Sequence, residues 1–247
     1  MNRTRWIIFA AVCIGLVAAL FIFKQSAPEF PGDPAKVVQD DRVYGKKDSK
    51  VVFIEYGDFQ CPSCENLYAP LHEVKEQYKD KVAFVFRHVP IVSAHANAKA
   101  AAAAAEAANK QGKFWEMHDL LYENQANWSN AQGNNRSTFF EGYAKQLGLN
   151  IEQFKKDVAS REVLDRINRD FGALSKAKLE PSTPTVVING QKIEGSSLTI
   201  TDNSGRSVYN ADKIRAELDK ALKAVGETPP SAEPATPEQS QTPQPQQ

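Results

Sequence analysis

Two cysteines, Cys61 and Cys64, stand three positions apart in the stretch GDFQCPSCENLYAPL. A pair at that spacing can supply half of a metal site, close a small disulfide loop, or cycle between dithiol and disulfide. A zinc site needs two more ligands. The third cysteine, Cys13, lies inside an apolar run, and His72, His88, His95 and His118 form no HxxxH pair. Neither a metal nor another cofactor is expected. As a staple the pair would do little, because so short a loop removes little chain entropy. Redox exchange is the chemistry that suits it. Pro62 fits a first helical position, where its missing N–H goes unmissed. Cys61 would then face the free N–H groups and the positive end of a helix dipole, both of which favour thiolate. Cys64 follows one turn later on the same face, in reach of a mixed disulfide at Cys61. Cys61 is expected to be the exposed nucleophile and Cys64 the resolving thiol.

The elements needed to hold this arrangement are legible around it. KVVFIEYGDF carries the apolar run Val51–Ile54 of a buried strand. A helix runs from Pro62 to about Lys79, with Leu67, Leu71, Val74 and Tyr78 at helical spacing. KVAFVFRHVP is a second strand, closed by Pro90. Strand, helix, strand implies a parallel pair with a right-handed crossover. From about residue 91 to 178 only helical patterns appear, including an alanine-rich segment and a face formed by Phe114, Met117, His118 and Leu121. The sheet then resumes: Thr185–Ile188 and Gln191–Ile193 flank the hairpin signal Asn189-Gly190. LTITDNSGRSVY suggests a further small hairpin around Asn203–Gly205. A closing helix would pack Ile214, Leu218 and Leu222 on the sheet and stop at Gly226.

Composition bounds the partners. Thirty basic residues balance thirty acidic ones, so nothing in the charge favours nucleic acid. At the N-terminus, Arg3 and Arg5 precede the uncharged run Trp6–Phe23, about 18 residues and just enough to span a bilayer. The expected order is therefore a membrane anchor at 1–24 with its N-terminus inside, and a proline-containing tether at 25–36. A domain follows at 37–226, and a disordered Pro/Gln-rich tail at 227–247. Secretion after signal cleavage is the competing reading. Either way the domain would be extracytoplasmic, where two lone cysteines in the exported part point to chemistry rather than scaffolding.

EYGDFQCPSC, FRHVP, the long helical stretch and STPTVVING together resemble the DsbA-like branch of the thioredoxin superfamily, in its membrane-anchored, Gram-positive-type form. The resemblance covers about Val37–Val225. It implies an α/β, thioredoxin-like mixed sheet with a large all-helical insertion, behind a single transmembrane helix. It makes Cys61 the nucleophile, Cys64 its partner and Pro184 the cis-proline. Thr183 before it would pair with an extended substrate, alongside Pro62 and Ser63. Glu55 falls where the family often places a buried acid able to accept the Cys64 proton, although an exposed strand-edge glutamate fits the sequence equally well. Core packing is the expected role of Trp115. The most oxidising relatives have histidine where this chain has Ser63, so a less acidic Cys61 is expected. The implied activity is thiol oxidation: insertion of disulfides into exported cysteine-containing proteins by a monomer. A membrane quinone-linked partner of the DsbB or vitamin-K-epoxide-reductase-like kind would reoxidise it. An extracytoplasmic reductase, and a non-catalytic metal- or protein-binding module, are the alternatives.

Overall fold

Two mostly apolar segments of seven residues make the central strands, and the rest of the fold is what covers them. The structure, a computed structural model, describes residues 30–230. In it β2 (Val51–Gly57) and β3 (Val82–His88) are buried along their whole length. They pair in parallel, with Glu55 opposite Phe86 and Gly57 opposite His88. Helix α1 (Pro62–Tyr78) crosses between them. Two further strands, β4 (Thr185–Ile188) and β5 (Gln191–Ile193), add antiparallel on the β2 side. On the other edge, β1 (Arg42–Gly45) pairs antiparallel with β3, giving the order β1-β3-β2-β4-β5. The sequence reading missed β1. Its four residues alternate too briefly to carry a period, and the neighbouring edge of β3 decides its conformation.

Side-chain alternation sorts β2 onto two faces. Val51 and Phe53 share a core with Leu67, Leu71 and Val74 of α1 and with Ile214, Leu218 and Leu222 of α8 (Ala211–Ala224). Val52, Ile54 and Tyr56 face the other way, toward Ala173 and Leu174 of α7 (Arg161–Lys176). The expected stop at Gly226 holds: this residue takes a positive φ of 76° just past α8. The hairpin expected around Asn203–Gly205 is also present, as β6 (Thr199–Thr201) and β7 (Ser207–Tyr209).

Between β3 and β4 the ordered elements are all helical, as expected. These are α2 (Ala98–Asn109), α3 (Phe114–Glu123), α4 (Gln125–Trp128), α5 (Asn134–Gln146) and α6 (Ile151–Val158), followed by α7. The insertion has its own core around Ala104, Ala105, Met117, Leu121 and Trp128, and that core runs on to Phe59, Phe86, Cys61 and Cys64. The insertion thus forms one wall of the cysteine site.

The tether reading needs correction from Phe30 onward. Phe30 is buried under the Arg87 guanidinium, 4.5 Å from its ring centroid, and its carbonyl accepts from Lys176. Arg87 also donates to the carbonyls of Pro34 and Lys36. Residues 30–36 are therefore docked, because a buried guanidinium needs the acceptors that this segment supplies. The predicted span Trp6–Phe23 lies outside the described residues, as does the tail from residue 231. Among the described residues no helix is long and apolar enough to cross a membrane.

Candidate active site

Helix α1 begins in an unusual way. Helices α6, α7 and α8 are capped by the side chains of Asn150, Ser160 and Asn210, each accepting a backbone N–H. At α1 the cap residue is Cys61, with extended backbone (φ −72°, ψ 122°) and no side-chain cap bond, and Pro62 takes the first helical position. The first-turn N–H groups are left for the sulfur. The Cys64 thiol donates to Cys61, burial opposes this, and the Thr183 side chain and the backbone N–H groups of Cys64 and Ser63 assist. Together they lower the Cys61 pKa from 9.0 to about 5. One expectation fails here: Cys61 is only 7 % exposed, because the insertion packs over it.

Cys64 is driven the opposite way. It is fully buried, and burial, the hydrogen bond it gives to Cys61 and the charges of Glu55 and Cys61 push its thiol well above the ordinary value. The two cysteines are free in this structure, with no disulfide between them. A sharp division between the two sulfurs follows: one is thiolate at neutral pH, the other holds its proton.

Thr183 and Pro184 meet the pair from the far side of the sheet's connection. Their peptide bond is cis. The Thr183 carbonyl oxygen lies 3.4 Å from Cys61 Sγ and accepts from it only while Cys61 is protonated. Pro62 is exposed and Ser63 half-buried. The Ser63 hydroxyl pairs with the Tyr209 phenol, so this residue serves Cys61 through its backbone N–H and not its side chain.

Glu55 is buried, at 5 % exposure, on the β2 face beneath α1. Its Oε1 would lie 3.0 Å from a Cβ at Gly57, and the Phe86 ring would lie at 2.5 Å, so only glycine fits where the strand leaves for the cysteine loop. Burial raises the Glu55 pKa to about 8, against the pull of Lys75, with the Cys61 charge adding to the rise. An acid that titrates near neutrality beside a buried thiol can exchange protons with it.

Sequence reasoning missed several residues. Lys75 is 4 % exposed, with Nζ 4.5 Å from the Trp115 ring centroid and 5.3 Å from that of Tyr44. Burial lowers its pKa, while Asp119, Glu55 and Glu76 oppose the fall. A signal was available: Lys75 occupies a position of the Leu67–Leu71–Tyr78 apolar stripe. Trp115, itself half-buried at the edge of the insertion core, packs on this lysine. Asp58 is almost fully buried and accepts from the backbone of Gln60 and Ile91, and it pairs with His95 Nδ1, each at 2.8 Å. It pins the cysteine loop to the segment after β3. From the insertion, Gln125 Nε2 donates to the carbonyls of Phe59 (2.8 Å) and Cys61 (3.1 Å). Among the described residues no cluster of three or more His, Cys, Asp or Glu could hold a metal.

Comparison with known proteins identifies the family and the fold. Residues 37–201 match the family described as thioredoxin. Among curated relatives, a Na(+)/H(+) antiporter NhaA 1 of Salinispora arenicola is 33% identical over 210 residues, or 83% of this chain and 30% of the relative. The chain spans about a third or less of the length of such relatives. Among solved structures, oxidised BdbD from Bacillus subtilis superposes with a TM-score of 0.61 at 23% identity, covering 76% of this chain and 96% of that one. The alpha-DsbA1 protein from Wolbachia pipientis gives 0.59 at 21% identity, covering 77% and 96%.

Proposed function

Because this chain belongs to the thioredoxin family, with a DsbA-like arrangement of sheet and insertion, we propose that it is an extracytoplasmic thiol–disulfide oxidoreductase that oxidises exported proteins. The observation that carries the reading is the opposed character of its two sulfurs. A substrate thiolate attacks Cys61 Sγ of the Cys61–Cys64 disulfide. The bond between the two cysteines breaks, a mixed disulfide forms, and the electron pair leaves on Cys64, which takes a proton from Glu55. A second substrate thiolate attacks the substrate sulfur of the mixed disulfide and expels Cys61 as a thiolate. The substrate is oxidised by two electrons and the cysteine pair is reduced.

The same asymmetry supports the oxidising direction. Whatever stabilises the Cys61 thiolate stabilises the reduced form, and so makes the disulfide the better oxidant. Equilibration with glutathione buffers tests this. A potential well above roughly −200 mV is expected, and one near roughly −270 mV, the thioredoxin range, would overturn the oxidase direction in favour of a reductase.

The setting belongs to the same proposal: a monomer held in the membrane by residues 1–24, with its domain outside and a quinone-linked membrane protein as reoxidant. Fractionation with protease treatment of spheroplasts checks the placement, and a domain that stays shielded from the added protease would sink it. Antiport is not carried over from the NhaA relatives, which share with this chain only a minor part of their length.

A further inference from the structure

Asp58 stands in the loop that leaves β2 for Cys61, and its side chain is fully buried. None of the exchange steps uses its charge. The carboxylate accepts three hydrogen bonds: Oδ1 takes the backbone N–H of Gln60, and Oδ2 takes the backbone N–H of Ile91 and Nδ1 of His95, each at 2.8 Å. Asparagine would offer a single acceptor oxygen and turn an NH2 against the remaining donors, so the position demands an acid. A carboxylate only accepts, and His95 therefore carries its proton on Nδ1. Among the described residues His95 is the one side-chain donor to this acid, and it is 20 % exposed.

On the other side of Asp58 is the cysteine turn itself. The Asp58 carbonyl accepts from the Cys61 N–H at 3.0 Å, while Oδ1 holds Gln60 inside the same turn. The turn is thus braced by the side chain and the backbone of one residue. It delivers Cys61 in the extended cap conformation from which the Ser63 and Cys64 N–H groups reach the sulfur. His95 is equally fixed on its own loop. Its N–H donates to the Ile91 carbonyl at 2.9 Å, and its carbonyl accepts from Ala98 of α2 at 3.1 Å. Asn97 then donates its N–H to Gln60 Oε1 at 2.6 Å. Residues 91–97 form a frame that grips the cysteine loop at Asp58 and at Gln60.

We propose that His95 is a positioning residue for the redox pair: through its hydrogen bond to Asp58 it sets the Asp58–Cys61 turn that aims the first-turn N–H groups of α1 at the Cys61 sulfur. The inference rests on the pair being an exchanging one. It adds to that reading a residue from outside the strand, the helix and the cis-proline loop. With the Nδ1 bond in place, Asp58 is held at both oxygens and the turn is rigid. Without it, Oδ2 keeps only the Ile91 N–H, and the alignment of Cys61 with its donors loosens. Cys61 then becomes a weaker acid. It also becomes a poorer leaving group when a second substrate thiolate expels it from the mixed disulfide, because a thiol of lower pKa leaves faster.

The test uses the full chain, with the pH dependence of Cys61 alkylation read by mass spectrometry on the Cys61 peptide. His95→Phe and His95→Leu remove the donor, and His95→Asn puts an N–H back near the place of Nδ1. The first two are expected to shift the alkylation profile upward by about one pH unit. They should also slow, about fivefold, the release of glutathione-capped Cys61 by a second thiol in a Cys64→Ala background. The asparagine variant should stay within about twofold of the wild type in rate, with a profile near the wild-type one. An unmoved profile in both donor-free variants would overturn the proposal. So would an equal shift in all three, which would assign the effect to the imidazole ring and not to the bond. Failure of both donor-free variants to fold would make the bond purely structural and overturn it as well. A wild-type disulfide inert to glutathione would instead overturn the exchange reading, and the alkylation profiles would still decide the role of His95.

Discussion

Two glutamates in this molecule are almost equally hidden and behave in opposite ways. Glu106, on α2, is 2 % exposed, and Glu55 is 5 % exposed. Burial alone would raise both. At Glu106 it is overcome by His88, whose Nε2 lies 2.9 Å away, and by the Arg42 guanidinium, which meets both carboxylate oxygens, so the acid is held far below the usual range. Arg87 and Asp41 form a second, fully buried pair next to it. Glu55 has only the attraction of Lys75, and burial wins. One cluster is a permanently charged joint that fastens β1, β3 and α2 together. The other is a proton store under the cysteines. Pairing, not depth, separates structure from chemistry here.

That contrast can be broken from either side. The largest expected effect comes from Glu106→Gln, which leaves the half-buried Arg42 without its buried counter-charge. A loss of about 3–5 kcal/mol in urea unfolding is expected, in the range for a broken buried ion pair. The penalty should stay flat from mildly acid to mildly alkaline pH, because a carboxylate with a depressed pKa contributes above its unfolded value of 4.5 and loses that contribution only as pH falls through the folded one. A strongly sloping penalty would show that the cluster titrates.

Glu55→Gln should do the reverse. A raised folded pKa means that the contribution of this acid is fully present below 4.5 and is lost as pH rises through about 8. Wild-type stability should therefore fall across that window, and the glutamine variant should flatten the fall. Equal slopes in the two proteins would remove Glu55 as a titrating group. The variant should also slow exchange, since Cys64 loses its proton partner.

A smaller effect is expected from Lys75→Met. Removing the one cation that pulls Glu55 down should shift the alkaline limb of the exchange rate upward by about one pH unit. An unmoved limb would separate the lysine from the acid. Smallest of all is Ser63→His, which adds an imidazole donor at the first helical turn. A Cys61 pKa lower by roughly half a unit, read from the pH dependence of alkylation, is expected. No change would mean that the backbone N–H groups already saturate the sulfur.

Much of this was readable along the chain, for local reasons. The start of α1, the one-turn separation of the cysteines, the helical insertion and the return hairpin all come from neighbours within a turn or two. Strand β1 was not readable, because its partner strand makes it. Nor was the docking of residues 30–36, since their acceptors are recruited by Arg87, some fifty positions later. Glu55 stood between two readings because alternation assigns it a face and says nothing of what covers that face.

The sequence by itself determined a dithiol at a strand–helix junction, since residue type, spacing and helix geometry are local properties. Tertiary structure alone decided how those sulfurs differ. Acidity in a protein depends on what removes water and what charge replaces it. For Cys61 and Cys64 those groups come from Thr183, from Glu55 and from the far side of the insertion, where Gln125 closes the site.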